Sequence, residues 1–144
     1  MKTSEFHGKL NESRIKFAIQ EAERKTSGEI RIFISSHKNE DPVAAAKKIF
    51  QREKMNRTQE RNGVLLYISP RSQTYAVIGD SGITEKVGDF FWKEVVESIG
   101  VYFRKEDFTW GVVEAIGLLA TALATHFPRR ADDLNELSDQ IMKG

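Results

Sequence analysis

Residues 61–83, RNGVLLYISPRSQTYAVIGDSGI, carry the side chains whose types and spacing are best suited to chemistry. Asp80 stands between Gly79 and Gly82, and glycine lets a backbone turn tightly and approach a ligand closely. A hard cation such as Mg²⁺ or Ca²⁺ takes carboxylate, amide and backbone oxygens as ligands. Asp80 and Asn62 would supply a carboxylate and an amide, so the segment predicts a cation site. The alternative is an ordinary turn, since Asp and Ser are common turn residues.

The same segment predicts a β-hairpin that would bring these side chains together. Residues 64–68 and 75–78 are short runs rich in β-branched and aromatic residues, and residues 70–73 form a turn between them. An antiparallel hairpin places the start of its first strand beside the end of its second strand. Arg61 and Asn62 should therefore lie next to Asp80 at one edge of a sheet.

The elements before the hairpin should add to this edge. Residues 12–25 have apolar side chains at helical spacing, and residues 29–35 alternate as a strand does. Asp41 followed by proline is typical of a helix start. Strand, helix and strand imply a parallel pair with a right-handed crossover. The first strand then begins at the same edge and brings Ser27 and Glu29 to it.

Two helical stretches are predicted after the hairpin. The first begins near Thr84 and is open to interruption at Gly88, and the second is an apolar helix over residues 108–127 that Asp107 can cap. Their aromatic side chains are expected in the core, with an exposed partner patch as the alternative. These side chains are Phe90, Phe91, Trp92, Tyr102, Phe103, Phe108 and Trp110.

The order of elements predicts one α/β domain over residues 1–144, with helices on both faces of a small mixed sheet. Residues 129–144 are expected to form a docked or flexible C-terminal tail, in which Ile141 is one of the residues that would dock as a turn or helix.

The composition excludes several classes of protein. The formal net charge of +1 argues against a dedicated nucleic-acid binder. Because there is no cysteine, disulfides, thiolate metal sites and cysteine nucleophiles are excluded. The N-terminal residues lack the apolar run of a secretory signal, and the apolar residues 111–127 are fewer than the ~20 of a membrane span. A cytoplasmic protein without a transmembrane segment is expected.

Several stretches together resemble the TPM-domain family, which includes thylakoid-lumen acid-phosphatase-like proteins. They are TSGEIRIFIS, RNGVLLYIS, YAVIGDSGI, FRKEDFTWGV and HFPRRADDLNEL. The resemblance covers nearly the whole chain and is to the short bacterial members. It implies a three-layer α/β/α sandwich, binding of calcium or magnesium at an acidic pocket, and a phosphatase activity reported for some members. Many members have Asp-Asn-Gly or Asn-Lys-Gly where this chain has Arg61-Asn62-Gly63.

The expected metal ligands are Asp80 and Asn62, joined by Asp107 and Glu29. Asp107 is also expected to cap a helix, a role that is compatible with metal binding because a carboxylate has two oxygens. The alternative for Glu29 is exposure at the end of its strand.

Arg57 and Arg61 are the candidate contacts for a phosphate, since arginine binds phosphate in a bidentate manner. The alternative is an ion pair of Arg61 with Asp80 or Asp107. No motif assigns a catalytic residue, because the phosphate-cradling loop and the nucleophile elbow are both absent from the sequence.

Two functions remain open from the sequence. The first is a domain that binds a divalent cation and has a weak or vestigial metal-dependent phosphatase activity towards a phosphorylated substrate. The second is a non-catalytic module that binds a protein partner.

Overall fold

A mixed four-stranded sheet forms the middle layer of this computed structural model. The structure describes residues 1–38, 41–129 and 141–144. The strands are β1 (Glu29–Ile34), β2 (Gly63–Ser69), β3 (Thr74–Gly79) and β4 (Ile141–Lys143). They lie in the order β3-β2-β1-β4, with β1 parallel to β2 and β4, and with β2 antiparallel to β3. Every residue of β1 and β2 is buried, as expected of strands covered on both faces.

Helices form the two outer layers. Within the described residues they are α1 (Thr3–Lys9), α2 (Glu12–Glu23), α3 (Pro42–Arg52), α4 (Ser81–Val87), α5 (Asp89–Phe103) and α6 (Phe108–His126). A single 3₁₀ turn, Met55–Arg57, follows α3. The predicted three-layer α/β/α sandwich with a small mixed sheet is confirmed.

Two apolar cores lie on opposite faces of the sheet. The larger core joins Ile30, Val64 and Val77 of the sheet to side chains of α2, α5 and α6. The smaller core packs strand residues such as Phe33 and Tyr67 against α3 and the 3₁₀ turn. Alternate residues of β1 and β2 therefore serve different cores, which fixes the register of both strands.

The helix starts follow the predicted capping residues in part. The Asn11 and Asp41 side chains accept hydrogen bonds from the N–H groups of Arg14 and Ala44 at 3.1 and 3.0 Å. The helix expected to start near Thr84 instead begins at Ser81, directly after Asp80. Gly88 interrupts this stretch with φ +83°, a left-handed conformation that glycine adopts without strain.

Two short elements were not predicted, and both pack on the edges of the core. Helix α1 buries Phe6, and β4 adds a parallel strand beside residues 32–34 of β1. Ile141, expected in a turn or helix, lies in this strand because its segment pairs with the β1 edge. The rest of the predicted tail, residues 130–140, lies outside the described residues.

The expectation that the aromatic side chains form the core is met for some of them. Phe108 is buried, and Phe91, Trp92 and Phe103 pack against the larger core. Phe90, by contrast, is 71% exposed and Trp110 is 51% exposed. Helical spacing alone did not separate the inward face of these helices from their outward face.

Helix α6 is long and apolar enough, by length and composition alone, to cross a membrane, a test that core helices of soluble proteins also pass. Its buried residues include Val112, Ala115 and Leu119, all members of the larger core. Near its end, Leu123 packs so closely on Gly28 that a Cβ there would lie 2.7 Å from Leu123 Cδ2. The described α6 therefore holds the start of β1 in place.

Gly79→Ala is expected to lower the free energy of unfolding by about 1–3 kcal/mol, since an added Cβ would overlap the Trp92 ring. Gly117→Ala is the matched control, because a Cβ on Gly117 in α6 meets no atom within 4 Å. This control should raise the free energy of unfolding by about 0.5–1 kcal/mol, because alanine is more favourable than glycine inside a helix. Urea denaturation of both variants measures the difference, and equal effects would contradict the close packing at Gly79.

Acidification is expected to destabilise the fold through His7. Burial and the nearby Lys143 ammonium lower the pKa of His7, while Glu12 opposes them. In the unfolded chain the His7 pKa is about 6.5, so near this pH the unfolded state binds a proton more readily than the folded state. The free energy of unfolding therefore decreases as the pH falls below that value. Urea unfolding at pH 7.5 and 5.5 should show a larger loss in the parent than in His7→Gln. Parallel losses would exclude His7 as the cause.

Candidate functional site

The strands meet at a rim where β1 and β2 begin and β3 ends, here called the strand rim (residues 26–29, 58–63 and 79–82). Asp80 N donates a hydrogen bond to Gly63 O at 2.9 Å, and Glu29 N lies 3.4 Å from Asn62 O. Three strand ends, and with them Glu29, Asn62 and Asp80, are thus brought together as the hairpin and crossover predicted.

The strand register sets Glu29, Gly63 and Asp80 side by side across three strands. Glu29 is the partner of Gly63 in the parallel pair, and Asp80 follows directly after the pairing of Gly79 with Val64. Gly63 has no side chain to separate the two acids. Instead, the carbonyl oxygen of Met55 lies 3.0 Å from where its Cβ would be. A backbone oxygen therefore lies beside Gly63, the residue that stands between Glu29 and Asp80 in the strand register.

Asn62 is almost fully enclosed in the rim, with 1% of its surface exposed. Its backbone N donates to Thr58 Oγ1 at 3.2 Å, and its Nδ2 donates to Ser27 Oγ and Glu60 Oε2 at 3.2 and 3.3 Å. Ser27 Oγ in turn donates to Glu60 Oε2 at 2.6 Å. These bonds engage the amide nitrogen, whereas the buried Asn62 Oδ1 accepts no hydrogen bond from any described residue.

Asp80 uses one carboxylate oxygen locally and leaves the other unpaired. Its Oδ1 accepts a hydrogen bond from Ser81 N at 2.7 Å, at the start of α4. Its Oδ2 is buried and has no hydrogen-bond partner within the described part of the chain. The first turn of α4 packs on the segment that precedes β2, since Ile83 N donates a hydrogen bond to Arg61 O at 3.2 Å. Asp80 is therefore held against the backbone that carries Asn62.

Glu29 is buried rather than exposed, in contrast to the simple expectation for a strand end. It is 2% exposed, and its Oε2 lies 3.3 Å from Nη2 of Arg31, which is itself 1% exposed. Arg31 Nη1 also pairs with Glu23 Oε2 at 3.0 Å. The Glu29 carboxylate is thus part of a buried ionic group behind the rim.

Asp107 does not lie at the strand rim. Its neighbours Glu106 and Phe108 line a cavity together with Ser69 and Pro70, which stand at the far end of β2. Asp107 N donates to Tyr102 O at 2.9 Å, but its side chain makes no capping hydrogen bond to α6. The structure therefore separates Asp107 from Asn62 by the length of a strand.

Arg57 and Arg61 are exposed on the segment that leads into β2. Arg61 adopts a left-handed φ of +52°, and its backbone N donates to Thr58 O at 3.3 Å. Neither guanidinium forms an ion pair with a described residue, so the alternative pairing of Arg61 with Asp80 or Asp107 is not observed. Both side chains are free to reach an anion at the rim.

Glu60 is the rim residue that the sequence analysis missed. Its carboxylate contacts both Ser27 and Asn62, so it places an acid at the strand rim next to Arg61 in the chain. The signal was its place two residues before Asn62 in the segment entering β2. The interaction itself depends on Ser27, which arrives from a separate part of the chain.

A model of the TPM domain matches residues 8–122, which is most of the chain. The chain belongs to the TPM domain family. Among solved structures, it is similar to the BA42 protein of the psychrophilic bacterium Bizionia argentinensis, determined by NMR. The two share 36% sequence identity and a TM-score of 0.84, over 94% of this chain and 95% of BA42. No curated protein matches the chain significantly.

The rim of this TPM domain offers oxygen ligands of several kinds rather than a cluster of acids. No group of three His, Cys, Asp or Glu side chains suited to a metal occurs among the described residues. Asp80 Oδ2 and Asn62 Oδ1 are nevertheless buried acceptors without a donor there. Such atoms carry a desolvation cost that a cation or an ordered water would offset. The donor set fits a hard cation that also keeps several waters.

Proposed function

We propose that this TPM domain binds a divalent cation, Ca²⁺ or Mg²⁺, at the strand rim. The observation that supports this most is the pair of buried oxygens, Asn62 Oδ1 and Asp80 Oδ2, that receive no hydrogen bond from the described residues. Asp80 would be the charged ligand, and Asn62 would contribute its amide oxygen. Backbone carbonyls and water would complete the coordination of a hard cation.

Glu29 and Glu60 would support this ion by their charge. Glu60 fixes the amide orientation of Asn62 through the hydrogen bond to Nδ2, which presents the oxygen rather than the nitrogen. Glu29 shares its charge with Arg31 and would act at longer range. Asp107 is left out of this ligand set because it lies at the other end of β2. With Asp80 as the one charged ligand, the expected Kd is about 0.1–1 mM, in the range of weak calcium modules.

The phosphatase activity implied by the family is proposed as weak or vestigial. A bound divalent ion would supply polarisation of a phosphoryl group and activation of water. Arg57 and Arg61 would bind and orient the phosphate of the substrate, since both guanidinium groups are exposed and unpaired among the described residues. The hydrogen bonds made by Asn62 Nδ2 and Asp80 Oδ1 would hold the two ligand oxygens, Asn62 Oδ1 and Asp80 Oδ2, in place.

Titration with Ca²⁺ and Mg²⁺, followed by amide NMR shifts, tests the binding site. Shifts are expected around residues 27–29, 60–63 and 79–82, with no comparable shifts around residues 106–108. An absence of saturable shifts up to about 20 mM, well above the expected Kd, would overturn the proposal. Saturable shifts confined to another part of the chain would move the site.

A non-catalytic protein-interaction module is the second candidate function. The exposed Phe90 and Trp110 side chains favour it, because aromatic residues are enriched at protein interfaces. Hydrolysis of an aryl phosphate with and without divalent ion separates the two functions. Metal-dependent turnover that is lost in Asp80→Asn, but kept in Glu85→Gln, would support the phosphatase. Metal binding without turnover would favour the interaction module.

A further inference from the structure

A cavity of about 360 Å³ lies at the end of the sheet opposite the strand rim, under the turn between β2 and β3. It is lined by four aromatic rings, those of Phe6, Tyr75, Phe103 and Phe108. This space and its lining are here called the aromatic cavity. Phe103 meets Tyr75 and Phe108 edge to face, with ring centroids 5.1 and 5.2 Å apart. The volume falls within the range of small-molecule sites.

One end of the aromatic cavity is polar, because Tyr75 and Arg104 of its lining both pack on Gly100 of α5. The Tyr75 hydroxyl and Arg104 Nη1 lie 2.7 and 3.0 Å from the position that a Cβ of Gly100 would occupy. Both groups therefore approach the same point. Neither forms a hydrogen bond or ion pair with a described residue, and both are hydrogen-bond donors directed to one region.

The other polar side chains described in the lining do not neutralise the positive charge of Arg104. Glu106, the acidic residue among the described lining, is paired with Lys9 at 2.7 Å. Thr74 Oγ1 is buried and has no hydrogen-bond partner in the described ranges. The aromatic cavity thus combines an apolar wall with an unpaired guanidinium and spare hydroxyl groups.

We propose that the aromatic cavity binds a small aromatic carboxylate. The ring of the ligand would pack against the edges and faces of Phe103 and Phe108, the arrangement that aromatic pairs prefer. Its carboxylate would accept a bidentate pair of hydrogen bonds from Arg104 and a third from the Tyr75 hydroxyl. Because this cavity is separate from the strand rim, the inference does not depend on metal binding or phosphatase activity.

Phenylacetate is a suitable probe, and amide NMR shifts on the full chain provide the measurement. The expected Kd is on the order of 1 mM, typical of a fragment of this size, with shifts around residues 68–75 and 100–108. Phenylacetamide has the same shape but no charge. It is expected to bind at least about tenfold more weakly, since hydrogen bonds to charged groups are the stronger ones.

Arg104→Gln supplies the matching change in the protein, with Lys105→Gln as the control for the loss of one exposed positive charge. Arg104→Gln should weaken phenylacetate binding by about tenfold or more, while Lys105→Gln should change it by less than about twofold. Both side chains are exposed, so both variants should fold, which thermal melting verifies. Equal binding of phenylacetate and its amide, equal Kd in the two variants, or no saturable shift at about 20 mM overturns the proposal.

Discussion

Asp80→Asn is expected to abolish stabilisation of the domain by Ca²⁺ or Mg²⁺. At a concentration of about 100 times Kd, ligand binding should raise the free energy of unfolding of the parent by about 2.7 kcal/mol. The variant should gain less than about 0.5 kcal/mol, since it lacks the charged oxygen at the rim. Asparagine keeps an oxygen for the hydrogen bond from Ser81 N, so the start of α4 should remain intact.

The metal-free comparison makes this prediction sharper. Without divalent ions, Asp80→Asn should be at least as stable as the parent, because a buried carboxylate oxygen without a donor is costly. Glu85→Gln removes one negative charge from an exposed position in α4 and should behave as the parent with and without metal. Chemical denaturation with chelator and with excess ion measures all three proteins. An equal metal effect in Asp80→Asn and the parent would remove Asp80 from the site.

Glu23→Ala is expected to lower the free energy of unfolding by about 3–5 kcal/mol, because it removes a partner of the buried Arg31. The same change removes an acceptor from the β1 edge, where Ile30 N lies 3.4 Å from Glu23 Oε2. Arg31 Nη1 donates to Ile30 O at 2.7 Å. Glu23 and Arg31 thus bind the backbone of β1 at Ile30, before the part of β1 that pairs with β4.

Glu21→Ala is the matched control in the same helix. Glu21 pairs with Arg24 at 2.8 Å on the surface, and exposed pairs at this spacing contribute about 0.3–0.5 kcal/mol. Urea denaturation measures both variants. If Glu23→Ala leaves too little folded protein, Glu23→Gln replaces it, with an expected loss of about 1–3 kcal/mol from the weaker pairing. A loss similar to that of Glu21→Ala would show that the buried Arg31 does not need Glu23.

Local rules predicted the strand rim correctly. The hairpin needed only its apolar runs and turn residues, and the crossover needed only its strand–helix–strand order. Together they placed Asn62 beside Asp80 before any side-chain contact was known, and in the structure Asn62 directly precedes β2 and Asp80 directly follows the adjacent β3. Glu60 was missed because its contact with Ser27 joins two separate segments.

The position of Asp107 was not predictable from its residue type, although helix length gave a signal. Helix α5 has 15 residues, so at about 1.5 Å per residue it carries the chain roughly 22 Å along the sheet. It starts near Gly79 at the strand rim, where Trp92 packs, and ends near Tyr75 at the far end of β3. Asp107 follows α5 and is therefore placed away from Asp80.

The sequence by itself determined the layered fold and the placement of Asn62 and Asp80 at adjoining strand ends, because these depend on local periodicity, turn chemistry and the handedness of short connections. Only the tertiary structure decided the burial of Glu29 with Arg31 and the pairing of β4 with β1. These features depend on contacts between distant segments, which local patterns do not encode. The unpaired oxygens at the strand rim belong to the same class, since a missing donor is defined only by everything packed around it.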